Sequence, residues 1–386
     1  MGAATPFAMG CKTCKSGSDS GQTRLVRKTT RIGAGSLTLV SADRQLWDSL
    51  RHHGDVDASE GLLDFAVNVH GTAPPEWLQR RLASRLSDLA RYPTAAEDLA
   101  VREAVAQRHG RTPDEVLLLS GAAEGFSLVA HLSPRCAAVV HPSFTEPEFA
   151  LRQAGIAVHQ VVVPPPFRLA DATVPNDADL VVLGNPTNPT SVLHPRADID
   201  ALRRPGRVIV VDEAFSDVVP GEPETLAGIS LPDVLVLRSL TKTWAIAGLR
   251  CGYMLGSPAI LAELARRRPH WPVGTLQLEA IRACCTPEAL AAAEVITQRI
   301  GEDRKYLIAE LRQSESRGVG IVEPADASFL LLHVSGRPDL RHRLKERGIA
   351  VRRCDTFPGL SDDYVRVAVR EREAADALLA AIREVL

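Results

Sequence analysis

Between residues 116 and 255 the chain returns repeatedly to one phrase: a short apolar run, mostly β-branched, followed by a polar or helical interval. The runs are Val116–Leu119, Ala137–Val140, Val158–Val163, Leu180–Leu183, Val208–Val211, Val234–Leu237 and Cys251–Leu255. Most lack the apolar–polar alternation of a strand with one wet face, so they read as strands buried on both faces. Helical or loop segments separate several of them, as βαβ crossovers require. The pattern commits the middle of the chain to an α/β fold with a mainly parallel sheet.

Helices flank this region. Pro74-Pro75 opens an amphipathic stretch to about Ala90, and a second helix runs from about Ala96 to His109, where Gly110 stops it. After about residue 275 the rhythm changes. Helical regions span roughly Leu276–Cys285 and Pro287–Arg317. A strand at Phe329–Val334, a helix near Pro338–Arg347, strands at Ile349–Arg353 and Tyr364–Val369, and a last helix to Leu386 follow. This reads as a smaller α+β domain. The segment before Pro74 is too short to fold alone and is expected to complete it. The expected organisation is a flexible leader at 1–40, an N-terminal segment at 41–74, a large domain at 75–275 and a small domain at 276–386.

Charge and cysteine usage narrow the setting. A net charge of −2 gives no reason to expect nucleic acid or an anionic membrane as partner. Arg266-Arg267-Arg268 reads as a solvated helix end. No apolar run approaches the ~20 residues of a membrane-spanning helix, and the leader lacks the apolar core of a signal peptide. The 7 cysteines, at 11, 14, 136, 251, 284, 285 and 354, are odd in number and unevenly spaced. That excludes a disulfide framework and fits a reducing cytoplasm. Cys11 and Cys14 have no second ligand pair, so no metal is expected there.

Chemistry gathers where the strands end. Ser239-Leu240-Thr241-Lys242 follows Val234–Leu237, with Gly248-Leu249-Arg250 just beyond. A lysine in such a loop can be partly desolvated, which makes its amine nucleophilic. Ser239 and Arg250 suit a phosphate. Asp212 ends Val208–Val211, where α/β folds place ligands. Asn188 sits in Asn185-Pro186-Thr187-Asn188-Pro189-Thr190, a loop stiffened by prolines. Gly121-Ala122-Ala123-Glu124 opens a helix whose free N–H groups suit an anion. Phe144 follows the next strand and offers an aromatic face. Each group taken alone is an ordinary turn or core feature. Together they line one edge of one sheet and supply what pyridoxal 5′-phosphate needs: phosphate donors, a ring face, an anion for the ring nitrogen and an amine for the aldehyde.

These residues carry a family resemblance. From about Leu63 to the C-terminus, the chain resembles the fold-type-I pyridoxal-phosphate enzymes of the class I/II aminotransferase family. The stretches are Leu63-Asp64-Phe65-Ala66-Val67-Asn68, Arg91-Tyr92-Pro93, Leu237–Lys242, Ala247–Tyr253, Arg352–Leu360 and Tyr364–Arg370. Within the family it resembles the histidinol-phosphate aminotransferase branch, and most of all the threonine-phosphate decarboxylases of cobalamin synthesis. The resemblance implies a seven-stranded sheet in the large domain. It implies Lys242 as the covalent anchor and proton shuttle, Asp212 as partner of the ring nitrogen, Asn188 on the ring 3-oxygen and Phe144 on the ring face. It implies Ala122, Ala123, Ser239 and Arg250 around the cofactor phosphate, with Tyr92 reaching that phosphate from the second subunit of a homodimer. Arg366 would take a substrate carboxylate and Arg352 a substrate phosphate, and Asn68 belongs to a substrate loop that His53-Gly54 extends.

Three positions depart from the family pattern. Phe215 stands where many members have tyrosine, Ser191 where the loop usually has glycine, and His70 where this branch commonly has asparagine. His70 could meet a substrate phosphate or fill space. The implied reaction is decarboxylation of threonine phosphate, with transamination between histidinol phosphate and 2-oxoglutarate as the alternative. The choice depends on which bond of the substrate α-carbon stands upright on the ring. A non-catalytic relative would be expected to lack Lys242 or Asp212. A dinucleotide enzyme would carry a Gly-x-Gly-x-x-Gly turn where Gly121-Ala-Ala-Glu stands.

Overall fold

A computed structural model describes residues 46–386. The expected leader at 1–40, with Cys11 and Cys14, lies outside the described residues.

The strands in chain order begin with β1 (Leu63–Asp64), β2 (Val116–Leu119), β3 (Cys136–His141), β4 (Ala157–Val162) and β5 (Leu180–Gly184). Next come β6 (Val208–Asp212), β7 (Val234–Ser239), β8 (Gly252–Leu255) and β9 (Val319–Ile321). The last are β10 (Phe329–Val334), β11 (Ile349–Ala350), β12 (Arg352–Arg353) and β13 (Tyr364–Ala368). A seven-stranded sheet has the order β2-β8-β7-β6-β5-β3-β4. From β7 through β6, β5 and β3 to β4 it is parallel, and β8 runs antiparallel to both neighbours.

Both faces of this sheet are covered, which is why its strands show no alternation. Val116, Leu118, Ala138, Val140, Ile209 and Val211 enter one apolar cluster. Their immediate neighbours Leu117, Leu119, Ala137, Val139 and Val210 enter another on the opposite face. β4 differs. Its apolar content suggests burial on both sides, but it is the edge strand and most of its residues are exposed or half-exposed.

The C-terminal region builds a second core. A four-stranded antiparallel sheet, β12-β13-β10-β9, packs with the long helix Pro287–Arg312 and the last helix Arg372–Val385. Phe65 belongs to this cluster, and β1 pairs in parallel with β11. The single strand expected over Ile349–Arg353 is two short ones. β11 pairs with β1, whereas β12 pairs with β13, so the chain changes partner at Val351. The expected helix to Arg317 stops at Arg312, followed by a separate turn at Glu315–Arg317. Likewise, the stretch after Pro75 is a helix only over Glu76–Ser84, and a tighter turn at Leu86–Ala90 completes it.

Among the described residues no helix is long and apolar enough to cross a membrane. The cysteines described, Cys136, Cys251, Cys284, Cys285 and Cys354, are unpaired and buried.

Candidate active site

Strand register assembles the site. Gly184 at the end of β5 lies opposite Asp212, and Asp212 lies opposite Leu237 of β7. Ser239 is opposite Gly252, which is opposite Leu119 at the end of β2. The Asn188 loop, Asp212, the Ser239–Lys242 turn, Arg250 and Gly121–Ala123 therefore follow one another along a single rim, where open α/β sheets place their ligands. A cleft of about 430 Å³ opens there. Phe144, Asn188, Phe215, Lys242 and Arg250 line its sheet side; Asn68, Arg352 and Arg366 line the other.

One corner is shaped for a phosphate. The helix Ala122–Val129 starts after Gly121 without a side-chain cap, so the first-turn N–H groups of Ala122 and Ala123 are left for a ligand. Gly121 has φ +82°, and a Cβ there would lie 2.6 Å from Nη2 of Arg250. Only glycine lets that guanidinium lie across the helix start. Arg250 also adopts a left-handed backbone, with φ 57°, and Gln277 Nε2 donates to its carbonyl at 2.8 Å. Ser239 is buried, its hydroxyl 2.8 Å from that of Thr241. Arg268 is not a solvated helix end: it donates to Glu124 at 2.8 and 3.0 Å, and Glu124 in turn accepts from Ser120 N. That pair fixes the turn leading into the phosphate corner.

Lys242 and Asp212 carry perturbed acidities. Burial, then the Arg366 and Arg250 charges, lower the Lys242 amine from 10.5 to about 8, while Asp212 acts in the opposite direction. Burial raises the Asp212 carboxyl from 3.8 to about 6, against the Ala214 N–H, which donates to Oδ1 at 3.1 Å, and against Lys242. A buried anion at this rim would suit a cationic ring nitrogen, which would remove the cost of its burial. Lys242 Nζ stands 5.9 Å from the centre of the Phe215 ring, and Phe215 meets Phe329 edge-on at 4.9 Å. Phe144 lies 5.4 Å from the His53 ring.

The opposite wall carries two arginines. Arg366 on β13 donates from Nη1 to Asn188 Oδ1 at 2.5 Å and from Nη2 to Ala66 O, leaving Nε without a partner. Burial lowers the pKa of its guanidinium to about 9, with the Arg352 charge adding to the effect. Arg352 is oriented from several sides. It donates to Asp57 at 3.1 Å, to His52 O at 2.7 Å and to Thr356 Oγ1 at 2.9 Å, and its guanidinium lies 4.9 Å from the Phe357 ring. Asp57 was not singled out from the sequence; a helix-end aspartate before a loop looks solvated, but this one is buried. Asn68, which lines the same cleft, is buried with neither amide atom hydrogen-bonded. Orphaned buried amides and N–H groups are costly, and a bound anionic ligand is the natural partner for them. The residues present thus fit pyridoxal 5′-phosphate and an anionic substrate beside it.

Not every expected residue joins the cleft. Tyr92 is 69% exposed and stacks on Trp271 at 4.3 Å, outside the cavity lining. His70 donates its backbone N–H to Lys242 O at 2.9 Å, and burial together with Arg370 lowers its imidazole below 6.5. Ser191 takes the left-handed backbone that glycine usually supplies, at φ 67°. Its hydroxyl accepts from Ala327 N at 2.8 Å, which gives the serine a compensating bond.

The chain matches the aminotransferase class I and II family over residues 60–382. A histidinol-phosphate aminotransferase of Mycobacterium tuberculosis is 57% identical over 346 residues, 90% of this chain and 93% of its own length. The threonine-phosphate decarboxylase of Salmonella typhimurium is 32% identical over 339 residues, covering 84% of this chain and 91% of its own. Among solved structures, the histidinol-phosphate aminotransferase of Clostridium acetobutylicum superposes with a TM-score of 0.77 at 22% identity, covering 84% of this chain and 99% of that one. At that identity the likeness is one of fold.

Proposed function

Because the chain belongs to the class I and II aminotransferase family, whose members work with pyridoxal 5′-phosphate, we propose that it is an aminotransferase of the histidinol-phosphate type. It would move an amino group between a phosphorylated amine and 2-oxoglutarate. The observation that carries this reading is the 57% identity over nearly the whole chain to proteins of that name. The same observation corrects the decarboxylase expectation, since the threonine-phosphate decarboxylase is only 32% identical. The motifs that suggested it, such as Arg352–Leu360, would suit a phosphorylated substrate under either reading and do not encode which bond breaks.

Bound here, the cofactor supplies an electron-withdrawing ring that stabilises negative charge at the substrate α-carbon. The chain's own groups do the rest. Gly121 leaves room for Arg250, and Arg250, Ser239 and the N–H groups of Ala122 and Ala123 hold the cofactor phosphate. Asp212 keeps the proton on the ring nitrogen, Asn188 holds the ring oxygen and Phe144 covers the ring face. Lys242, with its amine largely neutral at mildly alkaline pH, anchors the cofactor and moves the proton at the α-carbon. Arg366 orients the carboxylate of 2-oxoglutarate or glutamate. Arg352, held in place by Asp57 and Thr356, meets the substrate phosphate, and Asn68 completes the binding. Tyr92, exposed on its own chain, serves the cofactor phosphate of a second copy in a homodimer.

The test is direct. The purified protein, loaded with pyridoxal 5′-phosphate, is incubated with histidinol phosphate and 2-oxoglutarate, and glutamate is measured. The K242A variant is expected to lose activity by several orders of magnitude. Absence of glutamate from the unaltered enzyme would overturn the reading.

A further inference from the structure

The loop that carries Asn68 has its backbone held by the C-terminal strand region. Arg370, just past β13, points its whole fork at that loop: Nε donates to Asp64 O at 2.9 Å, Nη2 to Val67 O at 2.6 Å and Nη1 to Val69 O at 2.7 Å. Of the carbonyls between, Phe65 O accepts from Ala368 N and Ala66 O from Arg366, both on β13. The Asp64 carboxylate closes the turn from within, accepting from Ala66 N at 2.7 Å and Val67 N at 3.0 Å. At its far end the loop is fastened to the cofactor-anchoring turn through His70 N and Lys242 O. In the middle of this fastened backbone the Asn68 amide faces the cleft with no protein partner.

We infer that Arg370 is a positioning residue for substrate: by clamping the carbonyls of Asp64, Val67 and Val69 it pre-sets Asn68 in the cleft. The inference rests on the reading of this cleft as the substrate site. A guanidinium reaches carbonyls in divergent directions from one rigid plane, whereas a lysine ammonium is a single point. With the clamp in place, the loop's ordering entropy is lost on folding and not on substrate binding. Arg366 shares the arrangement, because one end of its fork anchors Ala66 O while Nε remains for a ligand.

The experiment is a double-mutant cycle on the cofactor-loaded enzyme with R370A, N68A and the double variant. R370A is expected to raise KM for histidinol phosphate about 10- to 100-fold, the range seen when a positioned group drifts. Its visible cofactor spectrum stays unchanged. In the N68A background the same substitution should add less than about 2-fold to KM. R370K should behave like R370A, and it serves as the second variant should R370A not fold. Independently of turnover, hydrogen exchange of the peptide spanning residues 64–70 should quicken in either variant. Full multiplication of the R370A effect in the N68A background would sink the proposal, as would unchanged exchange of that peptide. Should the unaltered enzyme ignore histidinol phosphate, the functional reading fails while the exchange measurement still decides the clamp.

Discussion

At the scale of single residues, burial sets the acidities of two groups at the rim of the candidate site. Lys242 and Asp212 both resist their charged forms. In cofactor-free protein the unfolded lysine keeps its proton to a higher pH than the folded one. Stability should therefore rise between about 8 and 10.5. For Asp212 the folded carboxyl keeps its proton longer, so stability should fall as pH rises from about 3.8 to 6. Urea unfolding across pH tests this: K242M should abolish the alkaline rise, worth up to ~3 kcal/mol, and D212N the acid-side fall. Both residues were legible in the sequence because each terminates or follows an apolar run. Arg370 closed a family stretch but was given no role, and Asp57 was passed over, because nothing local at either position points to its partners. Only long-range hydrogen bonds show what they hold.

At the scale of elements, the runs of buried β-branched residues betrayed the large sheet, and its register aligned the site without further help. Legibility failed where periodicity carries no positional information. Nothing in Val158–Val163 says it will lie at an edge, and the partner change at Val351 depends on β1, far away in sequence. The helix Ala122–Val129 joins both concerns, because it packs on the sheet and starts at the phosphate corner. Gly125 gives it that seat: a Cβ there would overlap Leu237 and lie 3.0 Å from Leu119. G125A should destabilise the protein by about 1–3 kcal/mol, as overpacking does, and weaken cofactor retention by tilting the helix start. Chemical denaturation and cofactor titration would measure the two effects.

At the scale of the whole molecule, the exposed Tyr92–Trp271 stack is a feature, among the described residues, that one chain leaves unexplained. In a two-fold dimer each site would combine Lys242 of one copy with Tyr92 of the other. Mixing equal amounts of K242A and Y92A subunits by co-unfolding or co-expression should then create hybrids with one intact site. Such a mixture should show about a quarter of native activity, against two defective parents. No recovery would mean that Tyr92 acts within its own chain or not at all. A second consequence follows from the two walls of the cleft. The proposed cofactor residues lie along the rim of the large sheet, whereas the candidate substrate grips, Arg352, Arg366 and the loop of Asn68, belong to the architecture of the second core. Such a division of labour lets selection retune what is gripped while the reactive machinery stays inherited. Enzymes with different trades can consequently share one chassis, and donor preference should be transplantable between cousins by exchanging the gripping half alone.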